Sequence, residues 1–128
     1  KDGGIVAIDT TDLECEAGFI ASESALDAAM NDFDYVNGSF YIAVNTALTS
    51  CILKTSSVGA LQTTIKSIPI VKGSNIPFVK ADSSGKIIFG DRTPSAPGVW
   101  ILDAASGKFT ASSVIPTGLP PYDIALIK

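Results

Sequence analysis

Gly4-Ile5-Val6-Ala7-Ile8-Asp9, Ser50-Cys51-Ile52-Leu53-Lys54 and Gly98-Val99-Trp100-Ile101-Leu102-Asp103 read as one short apolar strand written three times, with starts 46 and 48 residues apart. A second series keeps the same phase: Phe33-Asp34-Tyr35-Val36, Ile76-Pro77-Phe78-Val79 and Pro121-Tyr122-Asp123-Ile124. A repeat of this length built from short strands is the signature of a β-propeller blade. The fold class expected is therefore all-β, a propeller segment of four-stranded antiparallel blades.

With blade strands lettered a to d from the central channel outward, Ile5–Asp9 reads as c and Glu16–Ile20 as d. Phe33–Val36 is the next a. It turns at Asn37-Gly38 into b at Phe40–Val44, because an Asn-Gly pair between apolar runs favours the positive φ values of a type I′ hairpin. Strand c returns at Cys51–Lys54 and d at Thr63–Ile68. The third round has a at Pro77–Ala81, a turn at Asp82-Ser83-Ser84-Gly85, b at Lys86–Gly90, c at Val99–Asp103, a turn at 104–107 and d at Phe109–Ile115. Tyr122–Ile127 is one more a strand. The organisation expected is one unit over residues 1–128: outer strands of one blade in 1–20, a second blade over 33–68, a third over 77–115 and an inner strand at 122–127. Continuous apolar runs such as Ile5-Val6-Ala7-Ile8 suit strands covered on both faces. This is about 2.75 blades, and a ring needs at least about four. The ring is thus incomplete unless other residues or chains complete it, and a fragment of a longer chain is the favoured reading. Ala21–Asn31 breaks the rhythm; its helix formers, with Leu26 and Met30 four apart, predict a short helix whose apolar pair caps the core.

The composition excludes several classes. A net charge of −4 over 128 residues gives no basic footprint for nucleic acid. No run of 18 apolar residues is present for a transmembrane helix. The start, Lys1-Asp2-Gly3-Gly4, has neither an initiator Met nor an apolar leader, so the chain reads as a mature or trimmed product. There is no histidine. That removes serine–histidine and cysteine–histidine catalysis and every zinc site that needs imidazole. Cys15 and Cys51 are too few for a disulfide scaffold; both lie in apolar patterns, and buried free thiols stand beside a single disulfide as readings.

The third round carries a resemblance. Ile101-Leu102-Asp103, Ser106-Gly107-Lys108, Val114-Ile115-Pro116, Gly118, Pro120-Pro121-Tyr122 and Ile124-Ala125 follow the order of the YVTN/YncE-like propeller repeat, and this stretch is similar to it from about Val99 to Leu126. The first copy matches at Ile5–Asp9, and the second departs by placing Lys54 where the others have Asp9 and Asp103. The resemblance implies an exported propeller serving as a binding or surface protein, extracellular, periplasmic or at the cell surface. A few similar propellers are lactonases or carry metals and quinones.

Binding sites in propellers form where the d–a and b–c loops share a rim. The polar members of those loops here include Asp27, Asn31, Asp32, Asn45, Asn75, Asp91 and Arg92. Carboxylate and amide oxygens suit Ca²⁺, but no Asp-x-Asp/Asn-x-Asp/Asn-Gly series exists, so turn chemistry is the reading and no metal ligand or cofactor is assigned. Arg92, beside Asp91 in a loop stiffened by Pro94 and Pro97, is suited to clamp a carboxylate or phosphate; a surface ion pair is the bland counterpart. Trp100 reads either as core packing or as a stacking platform. Tyr122 is placed to line the channel mouth. The binding residues expected are Asn45, Asn75, Asp91, Arg92 and Tyr122, with no catalytic residue assigned. The function expected is non-enzymatic binding of a ligand or partner protein through the rim loops. A lactonase-like or other metal-dependent hydrolase using rim carboxylates, and a self-contained β-sandwich with a structural or adhesive role, are the alternatives. The partners expected are a further protein or the remaining blades of a longer chain, with a small molecule as a further option.

Overall fold

The computed structural model describes residues 2–15, 18–55, 63–69 and 74–127. They form an all-β protein of antiparallel sheets with one four-residue helix. A short pair, β1 (Gly4–Ile5) and β2 (Ala21–Ser22), is followed by α1 (Glu23–Leu26). A four-stranded meander then runs β3 (Ala29–Val36), β4 (Ser39–Asn45), β5 (Thr49–Thr55) and β6 (Thr63–Pro69). A second meander runs β7 (Val79–Ala81), β8 (Lys86–Asp91), β9 (Gly98–Asp103) and β10 (Lys108–Phe109), with β11 (Ile115–Pro116) also pairing to β9.

Local chemistry sets the hairpins. Asn37 and Gly38 both take positive φ, 50° and 75°, as a type I′ turn requires, so Val36 faces Ser39 and the β3–β4 register follows. In the β7–β8 turn the Asp82 carboxylate accepts the backbone N–H of Ser84 at 2.8 Å and of Lys86 at 2.9 Å. The Asp103 carboxylate does the same for Ser106 at 2.8 Å, and its other oxygen pairs with Lys86 across the sheet. Asx turns of this kind occupy N–H groups that the ladder leaves unpaired.

The side-chain alternation of β4 then divides the core. Tyr41 and Ala43 join Ile52 and Ile68 on one face, against Ile76, Val79, Ile87, Phe89 and Leu102 from the second meander. Ile42 and Val44 join Cys51 and Leu53 on the opposite face, against Ile5 and Ala21 of the first pair. The first meander is thus covered on both faces. Each buried Ile, Leu, Val or Phe side chain contributes about 1.5–3 kcal/mol. Gly90 makes room for one of them: a Cβ there would come within 2.7 Å of the Phe78 ring, which is buried.

Several expectations change. Ala21–Asn31 is not a helix: Ala21–Ser22 is strand, the helix spans Glu23–Leu26, and Ala29 already begins β3. The Ser22 hydroxyl accepts the Ala25 N–H and starts the turn, and Asp27 in the left-handed region (φ 49°) ends it. Pairing of Ala29 with Asn45 then extends the strand, so tertiary ladder bonds override helix propensity. Leu26 and Met30 nevertheless both pack on the apolar cluster around Ile5. Asn31 and Asp32 consequently belong to β3 rather than to a loop. Strand Ile5–Asp9 shortens to Gly4–Ile5 plus one bridge, Ile8 to Cys15. The expected strand Glu16–Ile20 begins outside the described residues, and Ala21–Ser22 takes its place against β1. Strand Phe109–Ile115 divides into β10 and β11, with a Ser-rich stretch between them. Tyr122–Ile127 forms no strand. Both cysteines are free; Cys51 is buried but Cys15 is exposed, which corrects the expectation of two buried thiols.

Candidate functional site

Three of the five expected binding residues, Asn75, Arg92 and Tyr122, meet where β8 ends and the loop before β7 passes. The Arg92 backbone N–H donates to the Asn75 carbonyl at 3.0 Å, which fixes the loop after β8 against the loop before β7. The Arg92 side chain then lies with Cζ 3.9 Å from the Tyr122 ring centroid, with Nη1 3.5 Å from Asn75 Oδ1. Its Nε is buried and has no hydrogen-bond partner among the described residues. Both ion pairs among the described residues are lysine pairs, Lys80–Asp32 and Lys86–Asp103, so neither neutralises this guanidinium. Arg92 is the chain's single arginine. A planar cation stacked on an aromatic face keeps its in-plane N–H fork for a carboxylate or phosphate.

Asp91 does not join this cluster. Its side chain is buried, accepts Trp100 Nε1–H at 3.0 Å on Oδ2 and closes onto Thr93 N–H at 2.9 Å on Oδ1. Alternation explains the separation: Asp91 pairs with Gly98 on the side of β8 that carries Ile87 and Phe89, whereas Arg92 lies beyond the strand end. Trp100 packs against the core, edge-on to Phe109 with centroids 5.3 Å apart, and the Lys66 ammonium of β6 sits 4.0 Å from its ring centroid. It is therefore an inter-sheet packing residue and not an open platform.

Asn45 lies on the neighbouring sheet. Its Nδ2 donates to Asn31 Oδ1 at 3.1 Å, and Asn31 Nδ2 donates to the Ile76 carbonyl at 2.8 Å, one residue from Asn75. The two asparagines thus reach the Arg92 cluster through the backbone. Asn45 Oδ1, an acceptor, is the other buried side-chain polar atom without a hydrogen-bond partner among the described residues. Residues 70–73 of the expected loop Pro69–Ile76 lie outside the described residues.

Sequence reasoning named Asp32 as a loop residue but missed the line of charges that it forms with Asp34 and Lys80. A bulge at Asn31 puts Asp32 opposite Ala43 and Asp34 opposite Tyr41, so both carboxylates point to the second sheet with those two side chains. Asp32 Oδ2 accepts Val79 N–H at 3.1 Å and Lys80 Nζ at 3.0 Å, and Asp34 Oδ2 accepts Ala81 N–H at 2.7 Å. The hydrogen bond to Asp32 raises the Lys80 pKa above the usual lysine value, with the charges of Asp32, Asp123 and Asp34 adding to it. Two aspartates at alternate positions of an apolar strand were the available signal, since Asp is depleted in strands.

Among the described residues no three of Cys, Asp and Glu gather as metal ligands. Nor is any helix among them long and apolar enough to cross a membrane. Comparison with protein-family models, with curated proteins and with solved structures found no match.

Proposed function

We propose that this chain is a non-enzymatic binding module, a β-propeller segment similar to the YVTN/YncE-like group, exported or surface-associated, that captures a carboxylate-bearing ligand or partner protein at its loop rim. The observation that carries the binding reading is the Arg92 guanidinium, stacked on exposed Tyr122 beside Asn75 and holding no carboxylate of its own among the described residues. A cation kept partly out of water without a counter-charge gains most when a ligand anion supplies one.

Two features support the architecture. The meanders lie face to face with their first strands, β3 and β7, in contact. The first meander also carries apolar residues on both faces, as a blade between two blades must, whereas a two-layer sandwich leaves one face to solvent. The hydrolase alternative requires a divalent metal on rim carboxylates, and Ca²⁺ titration followed by thermal melting reads that out directly.

The test is an NMR shift titration with acetate against chloride at constant ionic strength. Saturable shifts at Arg92, Asn75 and Tyr122 are expected with acetate, and at least a tenfold weakening in Arg92→Gln. Equal shifts with chloride, or undiminished binding in Arg92→Gln, would refute the reading.

A further inference from the structure

The β3–β4 and β7–β8 turns meet at their tips. A Cβ on Gly85, which is buried, would lie 3.0 Å from Asn37 Nδ2, so the Asn37 amide rests on the backbone of the neighbouring turn. Asn37 and Gly38 are themselves exposed. The chain has four asparagines, and the side chains of the other three are held. Asn31 Nδ2 donates to the Ile76 carbonyl at 2.8 Å, Asn45 Nδ2 donates to Asn31 Oδ1 at 3.1 Å, and Asn75 Oδ1 accepts from Arg92 Nη1 at 3.5 Å. Asn37 has no side-chain hydrogen bond among the described residues. The backbone nitrogens that follow these residues differ in the same way. Thr46 N–H donates to the Thr49 carbonyl at 2.8 Å and Ile76 N–H to the Ser50 hydroxyl at 2.8 Å, whereas Gly38 stands at the tip of the loop between the paired residues Val36 and Ser39.

We infer that Asn37 is a modification site, where the folded chain deamidates spontaneously while its other asparagines are protected. The Gly38 backbone nitrogen, after giving its proton to hydroxide, attacks Asn37 Cγ. A C–N bond forms, the side-chain nitrogen takes up a proton and leaves as ammonia, and a cyclic imide joins residues 37 and 38. Water then opens one imide carbonyl or the other, giving aspartate or isoaspartate. Water and hydroxide are the sole co-reactants. Glycine offers the attacking nitrogen without a side chain to crowd it, unlike the Asp32, Thr46 and Ile76 that follow the other asparagines. The turn must leave its positive φ values to reach the attack geometry, but the pair that gives way is Val36–Ser39, the last rung of the ladder. Openings at such a tip are the least costly in a fold. Either product replaces the amide on Gly85 with a carboxylate, and isoaspartate also lengthens a loop whose length sets the β3–β4 register. The inference does not depend on the ligand reading of Arg92 or on closure of a ring.

The test is incubation of the folded chain in mildly alkaline buffer, with peptide mapping by mass spectrometry at intervals and the urea-unfolded chain run alongside as a clock. In the folded chain the amide-to-acid mass gain should appear in the peptide carrying Asn37 at least about tenfold faster than at Asn31, Asn45 or Asn75. Anion exchange should resolve the product by its added negative charge. In Asn37→Gly that acidic form should be absent, and circular dichroism should show the fold kept, because Gly-Gly suits the same turn. No mass gain at Asn37 in the folded chain over the time in which the unfolded chain converts there would overturn the inference. So would conversion spread evenly over the four asparagines, or an acidic form that persists in Asn37→Gly.

Discussion

Asp32 on β3 accepts the backbone N–H of Val79 on β7 at 3.1 Å, a side-chain bond that joins two sheets along their first strands. Val79 is fully buried, so its N–H has no water to turn to if the carboxylate is lost. Asp32→Ala should lower unfolding free energy by about 1–3 kcal/mol, the cost of a buried donor left without a partner, and Asp34→Ala by about 0.5–1.5 kcal/mol, because the Ala81 N–H it bonds is only half-buried. Urea denaturation measures this. Losses within about 0.5 kcal/mol, the range of an indifferent surface change, would mean that the two seam bonds are idle.

Trp100 should matter through its ring nitrogen as well as its bulk. Trp100→Phe removes the donor to Asp91 Oδ2 and leaves that buried carboxylate with Thr93 N–H alone. The expected loss is about 1–3 kcal/mol. Tyr122→Phe, at a side chain 72% exposed, should stay within about 0.5 kcal/mol. Thermal melts of the two variants side by side separate the inter-sheet role of one aromatic from the surface position of the other.

Gly98 sits under β11. A Cβ at this position would lie 2.1 Å from the Ile115 carbonyl oxygen, backbone that has no flexible end to move aside. Gly98→Ala should therefore push β11 off β9 and cost about 1–3 kcal/mol, in the range of overpacked cores. Hydrogen exchange should show the Thr117 amide, bonded to the Pro97 carbonyl in the native chain, exchanging faster while β8 amides keep their protection.

The pH response has a defined sign at each end. The Asp103 pKa is held well below the usual carboxylate range, first by the hydrogen bond from Lys86 and then by Ser106. Asp82 is lowered by the backbone N–H of Lys86 and by Ser84. A depressed carboxylate stabilises the fold above its unfolded pKa, about 3.9, and loses that contribution as pH falls through the folded value. Stability should therefore decline below about pH 4, and Asp103→Asn should flatten the decline. Lys80 behaves oppositely: its raised pKa gives a contribution that is complete below the usual lysine value of 10.5 and disappears as pH rises beyond it. Urea midpoints across the pH range, in the parent chain and in Asp103→Asn, test both signs.

The turns and the strand order were legible in the sequence because their determinants are local. Asn37-Gly38 announces its own φ values, and the β8–β9 hairpin carries its apolar alternation in Ile87, Phe89, Trp100 and Leu102. The short helix expected within Ala21–Asn31 is present but ends at Leu26, and its extent was misread for the opposite reason. Its helix formers are real, but the ladder to β4 decides the state of Ala29 to Asn31, and that partner lies beyond any local window. The same limit applies to the candidate site. Asn75, Arg92 and Tyr122 are selected by loop position and do meet, whereas the diversion of Asp91 to Trp100 follows from which face of β8 it occupies. Asp34 and Lys80 escaped notice because a charged residue inside an apolar strand reads as its solvent face, and here that face meets another sheet.

The coverage of the first meander on both sides gives the opening part of the chain a task of its own. Ile5 and Ala21, with Ile20, Leu26 and Ala28 beside them, lie over Ile42, Val44, Cys51 and Leu53, so they act as a waterproof coat over a sheet whose other side is already occupied. A chain trimmed to begin at Ala29 would keep every ladder bond of β3 to β6 and still present a bare oily wall. Its expected fate is precipitation or self-association rather than simple loss of stability. For this protein, solubility is written into a segment that contributes almost no strand.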